Sequence, residues 1–418
     1  MKIYTKRHAI EQAFHSWTNG GIGVNIIFLL TGLLMVFILA FVVSNNRKQI
    51  RYKPILYMLI AQFVIAFVLL HSKIGVIFIS LVAKTFERLM DMGMEGVNFV
   101  FSGIENKGES TFFLHVLLPI VFISVLIGIL NYLKILPFII KYTGLGLSKL
   151  NGMGKLENYL AVSSAVLGQS EVFLTTKEQL GMVSSKRLYT LCTSAMSAVS
   201  MSIIGSYMTM LPAKYVVVAI FLNILSALII ANIINPYELK KEEDFVAGTP
   251  NREGKAGFFD VVSESIMDGF KVAVIVAAML IGFIALMALI NAIFSAIFHI
   301  TFQTLLGYVF APVAFLMGVP WHDAVQAGSI MATKLITNEF VAMINLKAIA
   351  GGLSAKTMGI LSVFLISFAN FGSIGIIIGS VKALNEKRAD EVARFGMKLL
   401  YGSTLASILS ATIAGCFL

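Results

Sequence analysis

The sequence predicts an all-α polytopic membrane protein: about eight transmembrane helices, two re-entrant helical hairpins, interfacial helices and an internal repeat. Three observations predict it. Of 418 residues, 58% are hydrophobic and 13% charged, with a mean hydropathy of +0.87, whereas a soluble domain carries about 25% charged residues. Two carboxylates, Glu171 and Glu339, lie in stretches apolar enough for membrane depth, YLAVSSAVLGQSEVFLTT and SIMATKLITNEFVAMINL. An ionisable group there costs at least ~2.5–3.5 kcal/mol, which makes it a functional-site candidate by default. The order hairpin, broken span, span also occurs twice, once around each carboxylate.

Gly23–Val43 is long enough to span, since ~20 apolar residues cross the hydrocarbon. It runs into Asn45-Asn46-Arg47-Lys48, Arg51 and Lys53. Ile55–Leu70 is a second, shorter span. Residues 72–111 mix apolar positions with Lys73, Lys84, Glu87, Arg88, Asp91 and Glu95, and read as an amphipathic interfacial helix and a loop. Phe112–Leu133 is the third span. Residues 134–155, with Lys134, Lys141, Lys149 and Lys155, form another interfacial piece.

Residues 156–186 are broken at Gly168 and again at Lys177-Glu178, and neither arm crosses alone. A re-entrant hairpin with its tip at Gly168-Gln169-Ser170-Glu171 fits, since non-helical backbone at depth needs protein or a wet cavity around it. Leu188–Met210, rich in Ser194, Ser197, Ser200 and Ser202, and Tyr215–Ile234 follow as spans joined at Leu211-Pro212-Ala213. The hydrophilic linker 236–258 is the clearest boundary, and Phe270–Phe294 is a long span. Residues 300–322, with Pro312 and Pro320, read as interfacial. Residues 324–350 form the second broken hairpin around Thr337-Asn338-Glu339. Met358–Val381 is a span that Ser367-Phe368-Ala369-Asn370-Phe371-Gly372-Ser373 unwinds, and Gly396–Leu418 closes the chain.

The organisation follows from this. Residues 1–23 are an N-terminal extension, mixed and polar, with no sign of a cleavable leader. Residues 24–155 and 259–322 are mixed scaffold and interfacial elements. Residues 156–235 hold the first hairpin and two spans, and 323–418 the second hairpin and two spans. The basic connections 45–53, 134–155, 240–255 and 382–398 face the cytoplasm by the positive-inside rule. Tracing eight spans then puts both termini outside, against the mild pull of Lys2, Lys6 and Arg7. Loop lysines and arginines account for the net charge of +10, so no nucleic-acid partner is implied.

Each carboxylate follows an amide, Gln169 before Glu171 and Asn338 before Glu339. A carboxylate accepts hydrogen bonds, so two of them favour a ligand rich in hydroxyl or N–H donors, such as a sugar or a nucleobase edge. The structural alternative is that these groups tie hairpin tips to their neighbours. Asn370 and Ser373 share a helical face or an unwound turn, and helix–helix hydrogen bonding is the alternative there. Phe368 reads as packing by composition, in a chain with 32 Phe. His115 reads as a packed histidine and His322 as interfacial. Lys334 either pairs with Glu339 or snorkels outward. Cys192 and Cys416 make neither a disulfide framework nor a metal spacing.

An enzyme would use Glu171 and Glu339 as acid and base. No H-E-x-x-H, G-x-S-x-G, Gly-rich phosphate loop or Asp-rich metal motif accompanies them, and no cofactor is implied. A ring-type channel filter needs repeats around an axis, and these carboxylates sit in two hairpins of one chain. Polar groups at matching positions of two halves imply a carrier site between repeats.

At these residues the chain resembles the concentrative nucleoside transporter family. The resemblance rests on GQSE (168–171), TNEFVA (337–342), SFANFGSIGI (367–376) and RFGMKLLYGSTLASILSATIAG (394–415). NGMGKLE (151–157), AMSAVSMSIIGSYMTML (195–211) and GSIMATKL (328–335) look closest to bacterial proton-linked permeases. It covers roughly residues 24–418.

The resemblance implies hairpins inserted from opposite sides, an inverted repeat in a transport domain, a homotrimer in the bacterial inner membrane, and an elevator mechanism. It implies that Gln169 and Glu171 bind the nucleobase with Ser170 helping, that Ile203 flanks the base, and that Glu339, Asn370 and Ser373 bind ribose hydroxyls beside Phe368. Sodium-linked members use an Asn and a Ser side chain where this chain has Ser164 and Ala198. A proton is therefore the expected coupling ion, with sodium symport the alternative and an acid–base membrane enzyme the second alternative.

Overall fold

The computed structural model describes residues 22–101, 111–239, 244 and 257–418, and every regular element among them is helical. Residues 1–21 of the predicted extension 1–23 and most of the linker 236–258 lie outside the described residues, and residues 22 and 23 already belong to the first helix. Six helices are long and apolar enough to cross a membrane, or eight if each of two bent pairs counts as one span.

The first half begins with α1 (Ile22–Val42), α2 (Tyr52–His71) and α3 (Lys73–Phe101). The predicted interfacial piece is thus one unbroken 29-residue helix. The third span starts as a π-helical turn, Phe113–Leu117, and continues as α4 (Ile120–Tyr132). Pro119 has no N–H to offer His115, and Leu118 instead reaches back to the Phe113 carbonyl at 3.0 Å. α5 (Ile135–Asn151) leads to the first hairpin. Its first arm is α6 (Lys155–Leu167), and its second is a 3₁₀ turn, Glu171–Thr176, with the short α7 (Lys177–Leu180). α8 (Ser185–Ser197) and α9 (Met201–Met210) are one span bent by 41°, and α10 (Ala213–Ile234) follows.

The second half opens with α11, Phe258–Phe298, a 41-residue helix longer than the predicted span. α12 (Phe302–Leu316) folds back on α13 (Trp321–Ile336) at 117°. Their backbones touch: a Cβ on Gly328 would lie 2.4 Å from the Gly307 carbonyl oxygen, so glycine is needed there. α13 and α14 (Glu339–Ile349) make the second hairpin. α15 (Ala355–Leu365) and α16 (Phe371–Lys382) are the predicted broken span, interrupted at 366–370. α17 (Glu386–Gly415) begins ten residues before the predicted Gly396. Asn385 caps it, accepting from Arg388 N–H at 3.2 Å, and Arg388 pairs with Glu391 one turn on. Most of the basic segment 382–398 is therefore helix.

The best-buried spanning windows belong to α10 (83%) and α17 (78%), against 17% for α11, so the core lies around the first two. The basic connections gather at one end. Lys186 and Glu238 both bond Gln49, Arg51 reaches the Gly152 carbonyl at 2.9 Å, and Lys398 meets Asn45. That common end fits a single cytoplasmic face. The first hairpin starts there, at Lys155, beside Asp244. The second starts at the opposite end of α1, where Lys356 bonds Asn25. The hairpins therefore insert from opposite ends.

The inversion extends to the anchors. Glu157, third residue of α6, pairs with Arg187, third residue of α8, through two bonds of 2.5 and 3.0 Å, both side chains fully buried. Asp323, third residue of α13, accepts from the hydroxyl of Thr357, third residue of α15, at 2.6 Å and from Ser354 N–H at 3.0 Å. Each hairpin arm is thus tied by an acid to the first turn of the broken span that follows it. Tyr237 lies over the first anchor. Burial first, and Glu157 next, push its hydroxyl well above the ordinary range, so it stays protonated beside Gly154.

Candidate functional site

The site grows from four interruptions of helix. At the first hairpin tip, Gly168 adopts φ +90°, and a Cβ there would lie 2.9 Å from Ser200 Cβ. Only glycine turns the chain this tightly against the neighbouring break. Gln169 follows, buried, with its amide oxygen lacking a hydrogen-bond partner. Such an atom is rare in a finished interior and suits a ligand or water. Val172 and Phe173 are buried on the inner face of the 3₁₀ turn, which leaves Ser170 and Glu171 exposed on the other. Glu171 thus lies at the hairpin tip, as expected, with its side chain at the surface of the chain yet closely surrounded by protein. The turn points it out of the core, toward the like charge of Asp268 on α11, a neighbour that the sequence did not single out.

The second hairpin tip is enclosed. Asn338 caps α14, accepting from Val341 N–H at 3.0 Å, which places Glu339 at the first turn. A helix N-terminus favours this negative charge. Tyr207 of α9 donates to Glu339 Oε1 at 2.8 Å, and Asn370 Nδ2 donates to Oε2 at 3.2 Å. Phe340 packs against Tyr207 with the rings tilted by 59° and their centroids 5.0 Å apart. Asn370 in turn caps α16, accepting from Ser373 N–H at 2.9 Å. Glu339, Asn370 and Ser373 therefore come together, as expected. A carboxylate has about four lone-pair positions, so two bonds leave acceptor capacity for a further donor.

The breaks in the two bent spans meet. Phe368 donates its backbone N–H to the Ala198 carbonyl at 3.2 Å, and Asn223 of α10 donates to the Ile366 carbonyl. Ile203 is buried on α9, one turn from Tyr207. Ser164 donates to the Leu160 carbonyl at 2.7 Å, and Ala198 brings no side-chain oxygen.

Lys334 does not snorkel outward, and the charges of Lys334 and Glu339 act on each other within the core. Lys334 is fully buried, and its ammonium donates to the Phe364 carbonyl and Ser367 Oγ, each at 2.6 Å, and to Ser407 Oγ at 3.5 Å. His322 lies beside Asp323 at 3.4 Å, half-exposed as expected of an interfacial side chain. Tyr207 and Asn223 were missed because a lone polar residue in an apolar helix gives no partner until the fold supplies one. Among the described residues, no three of His, Cys, Asp and Glu group as metal ligands.

Known proteins supply the rest. Three family models match in succession: "Na+ dependent nucleoside transporter N-terminus" over residues 31–104, "Nucleoside recognition" over 113–214, and "Na+ dependent nucleoside transporter C-terminus" over 215–415. The purine nucleoside transport protein NupG of Bacillus subtilis is 37% identical over 93% of this chain and 98% of its own length. The nucleoside permease NupC of Helicobacter pylori is 29% identical, covering 94% and 98%. The structure of CNTnw in an inward-facing substrate-bound state superposes with a TM-score of 0.88 at 29% identity, covering 94% of this chain and 99% of that one. A substituted CNTnw in an outward-facing state gives 0.89 at 28% identity over 94% and 97%. With its multi-pass helical fold, its two opposed hairpins and a relative matched along nearly its whole length, the chain belongs to the concentrative nucleoside transporter family, a family of transporters and not of enzymes.

Proposed function

We propose that this chain imports nucleosides across a bacterial cytoplasmic membrane by cation-coupled alternating access. The observation that carries the reading is the buried Glu339, held by Tyr207 and Asn370 with acceptor capacity left over, between a hairpin tip and a helix break. Glu339, Asn370 and Ser373 take the ribose hydroxyls beside Phe368. Gln169 and Glu171, with Ser170, take the base, and Ile203 flanks it. A charge-assisted hydrogen bond is about twice as strong as a neutral one, so the carboxylate is the principal sugar contact. The name of the Bacillus subtilis relative makes purine nucleosides the first class to test, with uridine as the pyrimidine comparison. The two hairpins and bent spans form the moving body, and α1–α5 and α11 belong to a scaffold that assembles as a trimer.

The coupling ion has two readings. Two matched family descriptions name Na+ dependence, and they favour sodium over the proton expected from the sequence. A proton remains the second reading on one observation: Ala198 has no side-chain oxygen, and the Ser164 hydroxyl is engaged within its own helix. A hard cation needs an oxygen shell, so sodium here would rely on backbone carbonyls near Ser164 and Ala198. A proton would need one titratable group, Glu171 or Glu339. Radiolabelled adenosine and uridine uptake into proteoliposomes, with sodium and pH gradients imposed separately, tests both. Accumulation on a sodium gradient that a protonophore leaves intact supports sodium, and the reverse pattern supports the proton. No accumulation under either gradient would overturn the transport reading.

A further inference from the structure

The break between α15 and α16 leaves helix carbonyls without their normal donors. In a continuous helix the Phe364 carbonyl would accept from Phe368 N–H, four residues on. Here Phe368 N–H is given to Ala198 on the other bent span. The Phe364 carbonyl instead takes the ammonium of Lys334 at 2.6 Å. The same ammonium reaches Ser367 Oγ, inside the break, and Ser407 Oγ on α17, while Ser367 and Ser407 also bond each other at 2.7 Å. The ring of Phe364 lies under the charge, 4.3 Å from Nζ to the centroid. A positive charge at the C-terminal end of a half-helix is favourably placed.

The internal repeat shows what this lysine replaces. Lys334 stands as far along its hairpin arm from Asp323 as Gly168 stands from Glu157. Ser367 stands as far from Thr357 as Ser197 stands from Arg187. The first half thus has a glycine where the second has a lysine. Its matching hydroxyl, Ser197, is buried without a hydrogen-bond partner, as is Ser194 one turn before it. The second break has the same need and meets it with a tethered cation.

We infer that Lys334 is a positioning residue: its ammonium locks the second hairpin to the break that presents Phe368, Asn370 and Ser373, and so sets the distance between Glu339 and Asn370. The chain of connection is short. Lys334 lies one turn and a half before Glu339 in sequence, holds Phe364 and Ser367, and Asn370 follows three residues later to donate to Glu339 Oε2 at 3.2 Å. Lys334 itself touches no ligand. It acts through the two groups assigned above to the sugar, and the inference rests on that assignment.

The test is binding of uridine and adenosine, each beside its 2′-deoxy and 3′-deoxy analogues, to the full-length protein in detergent. Lys334→Met should reduce the preference for the ribonucleoside over its deoxy analogues by about tenfold, the scale of one hydrogen bond to a charged group. The ratio of uridine to adenosine affinity should stay as in the wild type, because the base side is held by the other hairpin. A merely structural defect would weaken all ligands together and leave the sugar preference intact, and that result would overturn the inference. Where Lys334→Met does not yield folded protein, Ser367→Ala keeps the lysine and removes one acceptor. It should narrow the sugar preference about threefold, and an unchanged preference would overturn the inference equally. A wild type indifferent to the sugar hydroxyls would instead overturn the assignment of Glu339 to the sugar, and the role of Lys334 with it.

Discussion

The backbone N–H of Phe368 donates to the carbonyl of Ala198 at 3.2 Å, so the two bent spans are joined main chain to main chain at their breaks. Both interruptions are needed at once. The carbonyl of Ala198 is available because α8 ends at Ser197, and the N–H of Phe368 is free because α15 ends at Leu365. Neither half could complete this crossing without the other, and the hairpin tips close over it from opposite ends.

Glu339→Gln should nearly abolish nucleoside uptake while leaving the protein folded. The charged acceptor to a sugar hydroxyl is lost, at a cost of ~1.5–3 kcal/mol, or about ten- to a hundredfold in affinity. Calorimetric titration with adenosine and uridine checks it. Near-normal binding would remove Glu339 from the sugar site.

Glu157→Gln should destabilise the fold by about 3–5 kcal/mol, because the buried Arg187 loses the carboxylate that takes two of its bonds. Asp323→Asn should cost less, since the partners of Asp323 within the core, Thr357 and Ser354 N–H, are neutral. Thermal melting in detergent ranks the two, and equal melting points would contradict the argument.

Gly168→Ala should impair uptake through backbone strain. An alanine at φ +90° with its Cβ 2.9 Å from Ser200 Cβ costs on the order of 1–3 kcal/mol. The added methyl also pushes Gln169 off its position. Uptake and melting measured together should both fall. Unaltered transport would mean that the tip relaxes without consequence.

Ser170→Cys in a cysteine-free background should change its reagent accessibility between inward- and outward-facing conditions. Ser170 is exposed at the hairpin tip, so it is reachable in at least one state. Cysteines placed in the scaffold helix Phe258–Phe298 should not change. Identical Ser170→Cys labelling under every gradient and ligand would speak for a fixed pore and against a moving body.

Ser164→Asn combined with Ala198→Ser should make uptake more responsive to sodium, by about tenfold in half-maximal concentration, because one side-chain oxygen is added at 198 and a longer amide oxygen replaces the engaged hydroxyl at 164. Uptake titrated with sodium at constant pH measures it. A response equal to the wild type would show that these two positions do not border the cation.

Sequence alone determined the spans, both interruptions and the second hairpin tip. Partition into hydrocarbon is a property of one segment at a time, so apolar length reads directly as a crossing. A carboxylate or a run of small polar residues at depth is costly enough to mark a break. That is why Glu339 and the pair Asn370 and Ser373 were each legible as marks of a break, while their grouping came from the family resemblance. Which way Glu171 faces was not legible, because whether a 3₁₀ turn shows a side chain inward or outward depends on what packs beneath Val172 and Phe173. The start of α17 was hidden by its charged first turns, which an N-cap and an i,i+3 ion pair keep helical outside the hydrocarbon.

Only the tertiary structure decided which donor meets which acceptor. Tyr207 and Glu339 are 132 positions apart, Arg187 and Glu157 are 30, and Lys334 and Ser407 are 73. No local pattern encodes such pairs. Inside a membrane protein most buried polar groups find their partners within the chain, since lipid supplies none. The identity of each partner is set by how the helices cross, and it is the break between α15 and α16 that makes Lys334, besides a countercharge to Glu339, a donor for an interrupted helix.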